Sequence, residues 1–350
     1  MPVGVYLAVL LLSIGITLSL TPPTIRLAER KGWVAVPGGR RRHVGNIARV
    51  GGVPLFPAFA AAALLSLLVP TNDALEATRL QGVLLGLAVV WVMGFIDDLV
   101  ELPSWAQFLA LVAAGGIAIG FKVFVEVFNN PFTDRQIRVD WYIMVPLTIL
   151  WLSGMTSTVD LVDGLNGLAA GVTGTAALVL FIHMLRLGQY SVAVLPLALA
   201  GCCLGFLPFN FGRARIFLGG GAHLLGFALA ALSIVAGAKV ASALLVVWLP
   251  LVDAAFQAFR RWRRGGPIGV GDRGHLHFLL QDLGVPTTRI VLMYYGVTAL
   301  LGAVALLVSS RLLKLAILSG AAVIILVALA LLARRASRAE EEAARSETGS

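Results

Sequence analysis

Long apolar runs, separated by short polar or glycine-rich stretches, fill this chain almost from end to end. A spanning helix needs about 20 predominantly apolar residues. Runs of that kind lie near 3–22, 51–69, 80–96, 104–125, 141–157, 165–185, 190–208, 217–237, 240–258, 289–310 and 312–333. The pattern predicts an all-α, polytopic helical membrane protein with about 11 transmembrane helices. No Lys or Arg precedes the first run, and it is too long for a signal-peptide core, so it is expected to stay as a helix.

Composition agrees with the pattern. Across 350 residues, 59% are hydrophobic and 13% charged, with a mean hydropathy of +0.91. A water-soluble fold of this size needs more polar surface than that, so a soluble globular protein is excluded. The balance of 27 Lys and Arg against 18 Asp and Glu makes the chain basic. In a soluble protein such charge raises nucleic acid as a partner. Here it reads as basic loops facing anionic lipid, and no nucleic-acid partner is expected. The two cysteines, Cys202 and Cys203, are adjacent inside an apolar run and read as small hydrophobes.

Basic residues also set an orientation. With the N-terminus outside, nineteen of the 27 Lys and Arg fall on the inner side, among them Arg26, Arg30, Lys31, Arg213, Arg260 and Arg334. The C-terminus is then cytoplasmic. Residues 1–335 read as a single transmembrane domain with cytoplasmic loops near 23–50, 97–103, 158–165, 209–216 and 259–288. Residues 336–350 read as a flexible cytoplasmic tail. The basic loops then face the cytoplasm.

Polar residues at membrane edges are informative because they are costly in lipid. Asp97 and Asp98 end the third run in GFIDDL, and Asp160 and Asp163 follow the fifth in STVDLVDGLNGLAAG. Asn210 closes the seventh, and Asp253 lies within the ninth. The orientation above brings all of them to the cytoplasmic side. Paired carboxylates suit Mg²⁺ that also takes diphosphate oxygens, and arginines suit phosphate. Plainer readings stay open beside this. Asp97 and Asp98 could be interfacial, DLVDGLNG a polar turn, His275 and His277 loop histidines, and Asp253 a partner of Arg260 or Arg261. Zinc is weakly indicated, since the histidine pair of GDRGHLHF lacks further His or Cys ligands nearby.

Taken together, these segments resemble the polyprenyl-phosphate N-acetylhexosamine-1-phosphate transferase superfamily, glycosyltransferase family 4. VPGGRRRH and ARVGG resemble its first cytoplasmic loop, GFIDDL its aspartate pair, and DLVDGLNGLAAG its DG-x-DGLA segment. FNFGRARIFLGG and GDRGHLHFLLQDLG resemble its later loops. The eleven runs and the HxH loop favour the undecaprenyl-phosphate GlcNAc-1-phosphate transferase branch. The resemblance implies a phosphosugar transferase for cell-envelope glycopolymer synthesis. Its substrates would be a UDP-N-acetylhexosamine and polyprenyl phosphate in the lipid bilayer, and its products a polyprenyl-diphosphate-sugar and UMP. Mg²⁺, or Mn²⁺ in its place, would be the cofactor, and a homodimer is left open.

Carried over residue by residue, Asp97, Asp98 and Asp163 would be catalytic. Asp97 and Asp98 would also hold metal, joined by Asp160. Arg40, Arg41, His43 and Arg49 would line the phosphate-facing first loop. Asn166, Asn210, Asp272, Arg273, His275 and His277 would bind the nucleotide-sugar. The chain also departs from the family pattern. A metal-ligand aspartate falls on Gly220, the last aspartate of DG-x-DG is Asn166, and an upstream asparagine is Asp160. A lysine falls on Gln107, a third histidine on Phe278, and an acidic position on Ala35. Two readings follow: a working transferase with a remodelled metal site, or a catalytically impaired homologue that binds polyprenyl phosphate or nucleotide as regulator or partner. A secondary transporter is a third class, and carboxylates gathered at one membrane face rather than the midplane count against it.

Overall fold

The computed structural model describes residues 3–35, 45–71, 73–129, 136–138, 140–237, 247–263, 265 and 274–348. Each apolar run contributes a helix. These helices are α1 (Val3–Lys31), α2 (Gly52–Ala63, continued by a 3-10 turn to Leu68), α3 (Glu76–Val100), α4 (Ser104–Gly120), α5 (Trp141–Val162) and α6 (Leu168–Arg186). They continue as α7 (Val194–Asn210), α8 (Gly221–Val235), α9 (Trp248–Arg263), α11 (Thr287–Leu307) and α12 (Arg311–Thr348), with the short α10 (Leu276–Asp282) inside the last large loop. Among the described residues, six helices are long and apolar enough to cross a membrane: α1, α3, α5, α6, α11 and α12 as far as Leu332. Four shorter apolar helices accompany them. The chain is a multi-pass helical membrane protein.

Two ends differ from the expectation. The helix of the first run passes Pro22 and Pro23 and continues to Lys31. Each proline removes one N–H donor, a loss that spanning helices tolerate where neighbours pack closely, and here Ile25 and Ala28 stay buried beyond the prolines. Likewise α12 is helical to Thr348, through the segment 336–348 expected as a tail. Its Ala, Glu and Arg residues are among the strongest helix formers.

The centre of the bundle is α7 and α8. Every residue of α8 from Gly221 to Ser233 is buried, as befits a helix that is apolar on all faces. Small residues let the backbones meet. A Cβ at Gly201 or Gly205 of α7 would strike Ser13 or Thr17 of α1. The α1 hydroxyls satisfy themselves on their own helix, Ser13 Oγ donating to the Val9 carbonyl at 2.8 Å and Thr17 Oγ1 to that of Ser13 at 2.8 Å. This is how polar side chains are carried inside a membrane bundle.

Two small antiparallel ladders complete the fold. Strands β1 (Val34–Ala35) and β2 (Ile47–Ala48) pair with Val34 opposite Ala48. Strands β3 (Val127–Asn129) and β4 (Gln136–Arg138) pair between α4 and α5. Ala48 also bridges in parallel to Ile216, and the Phe217 N–H donates to its carbonyl at 2.8 Å. That bridge draws the loop before α2 against the loop before α8.

Candidate active site

The end of α3 is set by local chemistry. Glu101 takes a left-handed conformation at φ 50°, and Pro103 biases Leu102 away from helix. Asp97 and Asp98 therefore stand on the last turn, where consecutive side chains diverge by about 100°. The divergence separates the pair. Asp97 Oδ1 turns towards α4, accepting from the Leu102 N–H at 2.8 Å and from Gln107 Nε2 at 2.9 Å. Asp98 turns towards α8; it is buried, and its Oδ1 accepts the Gly220 N–H at 3.0 Å.

Asp163, the residue after α5, lies near the neighbouring amide, the N–H of Gly219, which favours its ionised form. Two carboxylates from different segments thus face successive amides just ahead of α8, Asp98 by a hydrogen bond and Asp163 by proximity, at the positive end of the α8 dipole. Burial, then the charges of Asp160 and Asp98, push the Asp163 carboxyl well above the ordinary carboxylate range, against the Gly219 N–H that favours its ionised form. Arg49 and Asp160 lie within electrostatic reach of Asp98. Arg49 also pairs with Glu101, at 3.0 Å.

Glycines make this approach possible. Gly219 sits at φ 54°, a conformation open to few side chains, and a Cβ there would overlap Asp98 Oδ1 and the Arg49 carbonyl. At Gly220 a Cβ would overlap the backbone of Gly94 on α3. Gly220 is therefore a packing position in this chain: the contact between α3 and the α8 loop occupies the space a side chain would need.

The DLVDGLNG segment is clamped from several sides. Asn166 Nδ2 donates to the Gly212 carbonyl at 2.8 Å. Gly167, at φ 83°, donates its N–H to Asn210 Oδ1 at 2.8 Å, and its carbonyl accepts from the Tyr295 hydroxyl at 2.5 Å. Asn210 is buried and its Nδ2 donates to the Ile216 carbonyl at 2.9 Å. Both functional ends of this amide are engaged by backbone, which makes Asn210 a tie between α6, α7 and the α8 loop. Asp160, partly exposed, has His223 of α8 beside it, the buried Nδ1 lying 3.5 Å from Asp160 Oδ1. Nothing in the linear motifs signals that pairing.

The histidine loop approaches from α9. Asp253 is buried and turns to His275, its Oδ2 lying 3.1 Å from Nδ1. Its two oxygens also accept the Leu276 N–H at 3.2 and 3.3 Å. Gln257, one turn further along α9, lies 3.5 Å from Asp253 Oδ1 and donates to the Gly274 carbonyl. Sequence reasoning offers Asp253 the neighbouring Arg260 or Arg261; the fold supplies a histidine 22 positions away instead. His275 and His277 stack with centroids 5.7 Å apart. His277 is fully buried, and a Cβ on Gly164 would strike its ring, so the residue after Asp163 lies directly against this histidine.

The structure thus brings Asp98, Asp160, Asp163, Asn166, Asn210, Arg49, His275 and His277 to one end of the bundle. Arg40, Arg41, His43, Asp272 and Arg273 lie outside the described residues. Among the described residues no three His, Cys, Asp or Glu side chains group as ligands of one metal ion. The donors still fit an ion of the Mg²⁺ type, which commonly takes one or two carboxylates and completes its shell with phosphate and water oxygens. Asp98 and Asp163 are the pair that converges. Asp97 is engaged by Leu102 and Gln107, and Asp160, half exposed, stands 3.5 Å from His223 Nδ1 without a hydrogen bond between them.

Comparison with known proteins gives the chain its relatives. The profile of glycosyl transferase family 4 matches residues 80–237. The decaprenyl-phosphate N-acetylglucosaminephosphotransferase of Mycobacterium tuberculosis is 33% identical over 309 residues, covering 80% of this chain and 76% of its own length. The probable undecaprenyl-phosphate N-acetylglucosaminyl 1-phosphate transferase of Bacillus subtilis is 29% identical over 285 residues, covering 79% and 78%. A phospho-N-acetylmuramoyl-pentapeptide-transferase of Listeria welshimeri is 31% identical over 241 residues, covering 63% and 71%.

Proposed function

The chain belongs to glycosyl transferase family 4, and on that premise we propose that it transfers an N-acetylhexosamine 1-phosphate from a UDP-sugar to a membrane polyprenyl phosphate. A phosphate oxygen of the lipid attacks the β-phosphorus of the nucleotide-sugar. The bond from that phosphorus to the bridging oxygen breaks, UMP leaves, and a polyprenyl-diphosphate-sugar remains. The observation that carries the reading is the convergence of Asp98 and Asp163 on the amides of Gly220 and Gly219.

Two ionised carboxylates side by side repel each other and any phosphate, and a bound cation would offset that repulsion. Asp98 and Asp163 would hold Mg²⁺ or Mn²⁺, which would supply charge neutralisation for the reacting phosphates. The chain's own groups do the rest. The Gly219–Gly220 amides face the two carboxylates, and Arg49 adds positive charge beside Asp98. Asn210 and Tyr295 hold the DGLNG turn against α7 and α11. The histidine loop stands against Gly164 and receives the nucleotide-sugar. Holding both substrates in one geometry turns an improbable encounter into a positioned reaction.

The names of the relatives, all transferases, support this enzyme over an impaired homologue that only binds lipid or nucleotide. The full topology we propose has eleven spans, the N-terminus outside, and the site on the cytoplasmic face of an inner membrane. Single added cysteines, read with a membrane-impermeant maleimide, test it. The activity itself is tested by supplying purified protein with polyprenyl phosphate, a panel of UDP-N-acetylhexosamines and Mg²⁺ or Mn²⁺. Metal-dependent UMP that disappears in D98N is the expected outcome. No UMP from any donor, with the protein folded, would refute the transferase.

A further inference from the structure

From the sequence, Asp253 reads as a helix acid with a neighbouring arginine for company. In the structure it is the most enclosed carboxylate among the buried acidic residues, at 2% exposure, and its hydrogen bonds run to the histidine loop rather than to the carboxylate cluster. An ionised carboxylate only accepts hydrogen bonds. With Asp253 ionised, the contact between its Oδ2 and His275 Nδ1, at 3.1 Å, places the proton on Nδ1. The same carboxylate takes the Leu276 N–H, so ring and backbone are fixed together. Gln257 secures the stretch immediately before, through the Gly274 carbonyl.

The consequence falls on the other ring nitrogen. His275 is 4% exposed, and its Nε2 is buried with no hydrogen-bond partner among the described residues. With Nδ1 protonated, Nε2 of the neutral ring carries a lone pair. A buried acceptor without a donor costs about 1–3 kcal/mol, and a bound molecule that supplies an N–H or O–H removes that cost. His275 stacks on His277, which lies against Gly164 beside Asp163, so this acceptor belongs to the same end of the bundle as the carboxylates.

We propose that Asp253 is a positioning residue of the transfer reaction, holding His275 as the Nδ1–H tautomer so that Nε2 accepts a hydrogen bond from an N–H or O–H group of the nucleotide-sugar. The inference rests on the transferase reading and deepens it. Asp253 itself touches no substrate; it acts through His275. Replacing it with the isosteric asparagine separates shape from tautomer. The side-chain amide introduced by D253N keeps an oxygen for the Leu276 N–H but turns an N–H towards His275. Nδ1 must then become the acceptor and Nε2 the donor, so donor faces donor in the complex.

The experiment measures UMP release by the full chain in lipid nanodiscs, with KM obtained separately for UDP-sugar and for polyprenyl phosphate. D253N is expected to raise the UDP-sugar KM by ~10-fold or more, the factor equivalent to one lost hydrogen bond of about 1.4 kcal/mol. The lipid KM should stay within about 2-fold. Because Asp253 acts through His275, adding D253N to H275A should produce no further loss. A D253N enzyme with wild-type KM, equal rises in both KM values, or full additivity with H275A would each overturn the proposal. If D253N fails to fold, ¹⁵N-histidine spectra of the wild type decide the matter: a protonated Nε2 on His275, in a neutral or a charged ring, overturns it, and a ring protonated at Nδ1 alone upholds it. Absence of UMP release by the wild type overturns the transferase reading and this role with it, whereas the other failures overturn this role alone.

Discussion

The two halves of the site solve the burial of charge in opposite ways. Around Gly219 and Gly220, carboxylates from α3 and α5 meet backbone amides and one another, and the nearby imidazole pairs with Asp160. Around Asp253, a single carboxylate meets an imidazole and the N–H of Leu276. The first corner gathers carboxylates from two helices around the start of α8, the arrangement on which the proposed cation site rests. The second pairs its carboxylate with a ring and a backbone N–H, leaves the buried His275 Nε2 without a hydrogen-bond partner among the described residues, and is fitted to hold an orientation. Buried like charges are tolerated where they are used, because removing the strain would also remove the capacity to bind.

The largest effect expected from this comparison is a split between two adjacent aspartates. D98N and D163N remove charge from the pair that converges on the glycine amides, and each should lower UMP release by ~10²–10⁴-fold, the range typical of a lost electrostatic or acid-base group. D97N should cost no more than about 10-fold, because an asparagine oxygen still accepts from Leu102 and Gln107 in place of the carboxylate. Steady-state UMP assays on the three variants check this. Equal losses in D97N and D98N would show that the aspartates act as a pair despite facing different helices.

That split also marks where the linear chain stops being informative. The helices were legible, since apolar runs in a membrane protein need only length and hydrophobicity to declare themselves. The approach of GFIDDL, DLVDGLNG and the HxH loop to one end was legible from the alternation of spans and the placement of arginines. Partners were not. Asp97 and Asp98 are neighbours in sequence and diverge in space for a reason of helix geometry, whereas Asp98 and Asp163 lie on different helices and converge. His223 reads as one polar residue in an apolar helix, and Asp253 as one acid in another. Each acquires meaning only through packing between helices. Gly220 shows the reverse case: the sequence registers a missing carboxylate, and the fold shows a backbone contact with Gly94 in its place.

The next effect is on folding. Since a Cβ at position 220 overlaps the Gly94 backbone, G220A should destabilise by ~1–3 kcal/mol, the usual cost of overpacking a close contact. It should also loosen the amide that holds Asp98. Thermal melts in detergent check the first consequence, and UMP release normalised to folded protein checks the second. An alanine tolerated at full stability and activity would mean that the α3–α8 contact gives way easily. The glycine corner would then be less rigid than the clamp around Asp253.

A smaller effect should appear in the pH dependence of stability. The Asp163 carboxyl is raised above its ordinary range by burial and by Asp160 and Asp98, so the folded protein binds that proton more tightly than the unfolded chain. The folded state then holds more protons than the unfolded state across the window between the two values, and stability falls as pH rises through it. Below the ordinary carboxylate range the contribution is fully present. In metal-free protein the melting temperature of wild type minus that of D163N should decline as pH rises from the ordinary carboxylate range upwards. A difference that stays flat, or climbs, would mean that the amide of Gly219 outweighs burial at this carboxylate. Added Mg²⁺ should shrink the decline, because a cation favours the ionised form.

The smallest effect tests the rim of the carboxylate corner. Arg49 and Glu101 are joined at 3.0 Å, but the Glu101 side chain is 70% exposed, and exposed ion pairs contribute about 0–1 kcal/mol. E101Q should therefore move the melting temperature by little more than the error of the measurement. R49Q removes the same ion pair and also the positive charge beside Asp98. If the charge of the gathered carboxylates governs function, R49Q should weaken turnover while E101Q leaves it intact, even though both break one bridge. The contrast is sharper at low ionic strength, where screening is weakest. Equal behaviour of the two variants would place Arg49 on the surface as an anchor for Glu101, and leave the metal and the glycine amides to balance Asp98 and Asp163 without it.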